Sequence, residues 1–109
     1  MASRLTGTWR DGTEAVVAAL PGQLGVFELA GDDGRTLFIG CADARSLFGL
    51  RSAVSAALAE VVDATRFRVE VTTAYHTRWR ELLMVHRADH GALPRYNEQP
   101  PGLGRLSPA

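Results

Sequence analysis

Two short apolar runs on either side of a compact turn signal constrain the fold of this chain more than any other feature. Residues 24–29 and 36–39 are apolar and partly alternating, and the sequence GDDG stands between them at residues 31–34. Glycine and aspartate in this order favour a tight backbone reversal, and alternating apolar residues are typical of strands. The sequence therefore predicts a β-hairpin against which the rest of the chain must pack.

The chain after the hairpin has the pattern of a helix, a strand and a second helix. Residues 43–62 repeat apolar side chains at spacings of three and four, which predicts an amphipathic helix that Gly49 can divide into a turn and the helix proper. Residues 67–71 alternate apolar and polar side chains, so we expect a strand with one solvated face. A second helix is predicted over about residues 75–90, with Gly91 as its C-cap.

These elements define the fold class and the organisation of the chain. Strands and helices do not alternate as βαβ units, so we expect an α+β domain in which helices flank a small mixed sheet. We assign residues 20–97 to this domain, residues 1–19 to an N-terminal extension with a short helix, and residues 98–109 to a flexible tail.

Charge and composition exclude some classes of function. The formal net charge of the 109-residue chain is zero, so strong non-specific binding to polyanions is not expected. All the positive charges are arginine, which a GC-rich coding sequence explains more simply than selection for phosphate binding. No apolar run reaches the ~20 residues of a membrane span. The N-terminus lacks the apolar stretch of a secretory signal and Cys41 has no partner, so a cytoplasmic location is predicted.

The two strands of the hairpin carry a pair of short motifs. Gly25 and Phe27 belong to the sequence GVF, and Phe38 and Gly40 belong to FIG. With the proline that leads into the first strand, these motifs resemble the opening of the GIY-YIG nuclease family. The resemblance extends over residues 20–97 and implies the ββ-α-β-α order inferred above.

Two later residues extend the resemblance. Glu81, on the second helix, resembles the glutamate of the family that binds metal, and Asn97 resembles the asparagine that closes the domain by bonding to the backbone. In the family, an arginine on the first helix stabilises charge on the phosphate; Arg51 fits this position best, and Arg45 is the alternative. The resemblance thus implies hydrolysis of nucleic acid with Mg²⁺ or Mn²⁺, with Arg51 and Glu81 as catalytic residues.

Other interpretations of these residues stay open. Glu81 can instead be a solvated side chain paired with Arg78 or Arg80. The signature tyrosines are replaced by Phe27 and Phe38, which have no hydroxyl to orient water or accept a proton. The chain therefore either uses another base or has lost hydrolysis and binds nucleic acid, a protein or a second copy of itself. A third interpretation is an α+β interaction module whose motifs match by chance.

Four further side chains have chemistry that the resemblance does not use. His86 and His90 lie four residues apart on the second helix, a spacing that can bind metal, although no third ligand is evident and ordinary surface histidines explain them more simply. His76 could replace the missing base. Cys41 follows the second strand, where its pKa could be lowered, but an inert thiol is the simpler interpretation.

Overall fold

The predicted hairpin is formed by β2 (Gly25–Ala30) and β3 (Thr36–Ala42). In this computed structural model, which describes residues 3–98, β4 (Arg66–Val71) pairs with the other side of β2 and a short β1 (Arg10–Asp11) pairs with β4. The strand order is β1-β4-β2-β3. The α+β class is confirmed, and all the pairings in this part of the chain are antiparallel.

The helices over residues 14–18, 50–60 and 75–90 follow local sequence signals, whereas the short helix over residues 95–98 was not predicted. Their bounds are α1 (Glu14–Ala18), α2 (Leu50–Glu60), α3 (Tyr75–His90) and α4 (Arg95–Glu98). Thr13 caps α1 by accepting a hydrogen bond from the backbone of Val16, and α3 ends at a left-handed Gly91. Gly49 precedes α2 with a φ of 55°, so the segment does divide there into turns and a shorter helix.

The sheet separates two hydrophobic clusters because successive side chains of a strand point to opposite faces. Phe27 and Leu29 pack with Leu50 and Val54 of α2, on what we call the α2 face, which α1 also covers. On the opposite side, the α3 face, Val26 and Ile39 pack against Leu82 of α3 together with Leu5. Alternate residues of β2, and of β3 from Phe38 onward, therefore meet different groups of helices, while Leu37 at the β-bulge joins the cluster of the α2 face.

The N-terminal segment packs as part of this fold. Leu5 is buried in the cluster of the α3 face, and Val17 and Leu20 are buried in the cluster of the α2 face. Arg4 donates two hydrogen bonds to the carboxylate of Asp89 near the end of α3, at 2.6 and 2.7 Å. The predicted extension thus contributes core residues to both faces. The predicted tail, apart from Glu98, lies outside the described residues.

Among residues 3–98, no helix combines the length and the apolar composition that crossing a bilayer requires.

Candidate functional site

The motif residues of the hairpin form a packed unit on the α2 face. Phe27 is only 2% exposed, and its ring centroid lies 6.1 Å from that of the half-buried Phe38. Gly40 pairs with Phe27 across the strands, and a Cβ at Gly40 would come within 2.5 Å of Phe27 Cζ and 2.8 Å of Phe38 Cε2. Glycine at this position therefore provides space for both rings, and the tip of the Phe27 ring lies against backbone.

Asn97 holds the second strand of the hairpin from α4. Its Oδ1 accepts a hydrogen bond from the backbone N–H of Ile39 at 2.8 Å, and its Nδ2 donates to the carbonyl of Ile39 at 2.9 Å. Trp79 Nε1 donates to the same carbonyl at 2.9 Å. The bond from the Asn97 side chain to backbone that the sequence predicted is present, and it fixes the return of the chain onto β3.

Glu81 lies on α3 and is held by an arginine one turn earlier. Arg78 Nη1 donates to Glu81, and the same guanidinium binds Glu70 of β4 at 2.8 and 3.0 Å. The Arg78 side chain is 12% exposed, and hydrogen bonding to Glu70, then to Glu81, raises its pKa. Glu81 thus has the ion-pair partner that the alternative interpretation of the sequence proposed for it.

The residues around Glu81 do not fit a magnesium site in this arrangement. A hard cation needs several oxygen ligands, but here a buried guanidinium occupies the space between Glu70 and Glu81. Within residues 3–98 no group of three or more histidine, cysteine, aspartate or glutamate side chains is placed to hold a metal ion. Magnesium or manganese at Glu81 therefore stays a prediction from the resemblance alone.

The two candidate arginines have partners of their own. Arg51 Nε donates to the carbonyl of Leu20 at 3.0 Å, and its guanidinium lies 5.8 Å from the Phe48 ring, in a groove of about 490 Å³ between α1 and α2. Arg45 is exposed and pairs with Asp43 at 3.3 Å. The backbone N–H of Arg45, followed by its side chain, lowers the pKa of Asp43. Of the two, Arg51 belongs to α2, where the resemblance expects its arginine.

The predicted catalytic elements do not meet at one site. Phe27 and Phe38 belong to the α2 face, whereas Glu81 extends from the helix that covers the α3 face. Arg51 is directed toward α1. The sheet therefore lies between the aromatic motif positions and the glutamate.

A charged network on the α3 face was not anticipated from the sequence. Glu28, which is 6% exposed, accepts a hydrogen bond from Arg68 at 2.7 Å, and the Trp9 ring covers that guanidinium at 4.3 Å. The polar side of β4 was predicted to be solvated, but Arg68 and Glu70 are half-buried because the N-terminal segment packs near them. In the sequence, the one hint of this ion pair is that Glu28 and Arg68 are oppositely charged residues of two predicted strands.

Cys41 and His76 are two further candidates for reactive side chains. Burial, with a smaller contribution from Asp43, raises the pKa of the Cys41 thiol, which supports the interpretation of an inert cysteine. His76 is exposed in the first turn of α3, with its ring centroid 6.0 Å from that of Trp79. This position does not bring it to the Phe27 motif on the α2 face.

Restoring the missing hydroxyls one at a time tests the packing of the hairpin. Phe27→Tyr is expected to lower the free energy of unfolding by about 1–3 kcal/mol, because the added hydroxyl is buried against Gly40. Phe38→Tyr is the matched control and is expected to cost less than about 1 kcal/mol, since the half-buried ring is not enclosed to the same degree. Urea unfolding followed by circular dichroism measures both, and equal losses would contradict this description.

The fold and these contacts define a class of protein: a small α+β domain with helices on both faces of an antiparallel sheet, to which arginine side chains bind the N-terminal segment. The chain belongs to the family described as domain of unknown function DUF7508, which it matches over residues 3–89. This match includes the N-terminal segment that packs on the α3 face. No curated protein matches the chain.

Proposed function

We propose that this chain is a GIY-YIG-like domain that has lost hydrolysis and acts in the cytoplasm as a nucleic-acid-binding module. Three features support the likeness: the element order from β2 to α3, the paired motifs of the hairpin, and the bonds from Asn97 to Ile39. Each feature also occurs in unrelated folds, and it is their occurrence together in one chain that favours the family.

The main observation in support of lost hydrolysis is the environment of Phe27. A tyrosine of the family acts near the attacking water, whereas Phe27 is 2% exposed and has no hydroxyl. Glu81 is on the other side of the sheet and is bound by Arg78. A general base, a metal ligand and a phosphate-binding arginine must converge within hydrogen-bond reach of one reacting group, and these residues do not.

Exposed arginines of α3 support nucleic acid as the partner. Arg80 and Arg87 are exposed on α3 and form no ion pair with any residue from 3 to 98. Met84, 70% exposed, lies between them, and spacings of four and three residues place all three on one side of the helix. One guanidinium group can bind two oxygens of the same phosphate, so this surface suits a nucleic-acid backbone.

Binding is expected to be modest and strongly dependent on salt. Fluorescence anisotropy with labelled single-stranded and duplex DNA and RNA measures affinity across a salt series. Replacing both Arg80 and Arg87 with glutamine is expected to weaken binding about tenfold at low salt and to reduce the logarithmic salt slope by about 2. Arg45→Gln is the matched control, an exposed arginine away from α3 that is expected to leave binding unchanged.

Two results would contradict the proposal. Cleavage of plasmid or single-stranded DNA by the native protein with Mg²⁺ or Mn²⁺ would show that hydrolysis has been retained, which is the alternative function. Absence of any salt-sensitive complex from a correctly folded protein would instead favour a protein partner or a homo-oligomer. Analytical ultracentrifugation of the same sample detects the homo-oligomer directly.

A further inference from the structure

We infer that His86 and His90 form a binding site for a divalent transition-metal ion of the zinc class, next to the end of the proposed nucleic-acid surface. The two residues lie in the last turns of α3, and their ring centroids are 4.3 Å apart. A separation of four residues places two side chains one above the other on a helix, which is the spacing used by helical histidine pairs that bind zinc. Two histidines at this spacing can each bring one ring nitrogen to a common ion.

One hydrogen bond prepares His86 as a ligand. Its Nδ1 lies 3.0 Å from the carbonyl oxygen of Ala92, just beyond the end of α3. A carbonyl can only accept, so Nδ1 carries the proton, and in the neutral ring Nε2 then keeps its lone pair. Histidines that bind metals usually donate their other ring N–H to a carbonyl or carboxylate in this way, which fixes both tautomer and ring orientation.

The chain reversal after α3 produces this arrangement. Gly91 takes a φ of 81° and ends the helix, so the next peptide turns back and directs the carbonyl of Ala92 toward His86. The hydrogen bond thus depends on the C-cap and not on a flexible side chain. A histidine pair in the middle of a helix would have no such carbonyl available.

The pair borders an open cavity beside the turn between β2 and β3. This cavity of about 1090 Å³ is lined by both histidines, by the turn between β2 and β3, and by the residues that follow α3. Its aspartates already have partners, since Asp32 accepts a hydrogen bond from Thr65, Asp33 from the backbone of Arg35, and Asp63 from Arg95. They can attract a cation without binding it directly, and water supplies the remaining ligands.

The chemistry of the donors selects the ion. Imidazole nitrogen suits zinc, copper and nickel, whereas magnesium and calcium require oxygen ligands. Two protein ligands are fewer than the three or four of typical zinc sites, so the expected affinity is moderate. Zinc chloride is therefore the appropriate probe, with magnesium chloride as the ion that should not bind here.

Nuclear magnetic resonance tests the site in the intact protein. Long-range ¹H–¹⁵N spectra of the histidine rings are expected to show the Nδ1–H tautomer at His86 without metal. Zinc chloride should then shift the Nε2 signals of His86 and His90 and leave those of His76 in place. An Nε2–H tautomer at His86, or zinc-dependent shifts confined to other residues, would overturn the assignment.

Competition with a chromophoric chelator gives the affinity of each variant. Losing a residue that only hydrogen-bonds to a metal ligand weakens metal binding about 10–100-fold. Losing a ligand itself should cost at least as much, so His86→Ala and His90→Ala are each expected to weaken zinc binding at least about tenfold. His76→Ala is the matched control because it removes a histidine from the same helix and should have no effect. Equal weakening in all three variants, or loss of binding only in Cys41→Ser, would refute the site.

Discussion

Replacing Arg78 with methionine is expected to lower the free energy of unfolding by about 2–4 kcal/mol. The side chain is 12% exposed and makes ion pairs to two carboxylates. It also donates to two backbone carbonyls of the N-terminal segment, those of Ser3 at 2.6 Å and Arg4 at 3.3 Å. Removing it leaves these four acceptors without their shared donor.

The size of this stability loss depends on the groups that lose Arg78 as their partner. Glu70 and Glu81 are about one-third exposed, so water can partly replace the guanidinium, and the cost is lower than for a fully buried pair. The released N-terminal segment adds a second cost because Leu5 is held in the core of the α3 face by the same stretch of chain. Lysine at position 78 should recover only part of the loss, since one ammonium cannot bridge both carboxylates.

Chemical unfolding of the variants provides the measurement. Arg80→Met is the matched control: the residue lies on the same helix, is exposed and forms no ion pair within residues 3–98, so a change within about 0.5 kcal/mol is expected. Faster hydrogen exchange near residues 3–7 should accompany the Arg78 substitution. If Arg78→Met and Arg80→Met unfolded at the same urea concentration, the role given to Arg78 would be wrong.

Gly49→Ala is expected to destabilise the protein by about 3 kcal/mol or more, through two effects that add. Gly49 has a φ of 55° and a ψ of −133°, a conformation that residues with a side chain rarely adopt. A Cβ at this position would also collide with the carbonyl oxygen of Gln23, a backbone atom that cannot rotate away. The start of α2 and the entry to β2 would both have to shift.

Gly91→Ala separates these two effects. Gly91 has a φ of 81°, but a Cβ there would meet no atom within 4 Å, so only the conformational cost of about 1–2 kcal/mol is expected. Thermal unfolding of the two variants under the same conditions gives the comparison. A Gly91 variant that lost as much stability as the Gly49 variant would contradict the steric explanation.

Local signals account for the parts of the fold that the sequence predicted. The turn at residues 31–34, the helix end at Gly91 and the division at Gly49 each depend on residues within a few positions of one another. Chain reversals and helix caps are decided over such distances. The bounds of α3 and the pairing of β2 with β3 could therefore be predicted from the sequence.

Contacts between distant segments could not be predicted in the same way. Arg78 and Ser3 are 75 positions apart, and the pairing of β1 with β4 joins segments more than 50 residues apart. A polar strand position looks the same in sequence whether it faces water or a buried ion pair, as Arg68 demonstrates. For the candidate site, the sequence suggested an ion pair for Glu81 and a bond from Asn97, but not the position of Glu81 across the sheet from Phe27.

The two hydrogen bonds between the Asn97 side chain and the Ile39 backbone affect how this protein can associate with other chains. β3 is the last strand in the order β1-β4-β2-β3, and Asn97 uses both backbone groups of Ile39 that would otherwise pair with an incoming strand. An open strand of this kind is a template for aggregation and for sheet-to-sheet dimers. Because the Asn97 side chain occupies the middle of this edge, β3 is a poor template for an incoming strand.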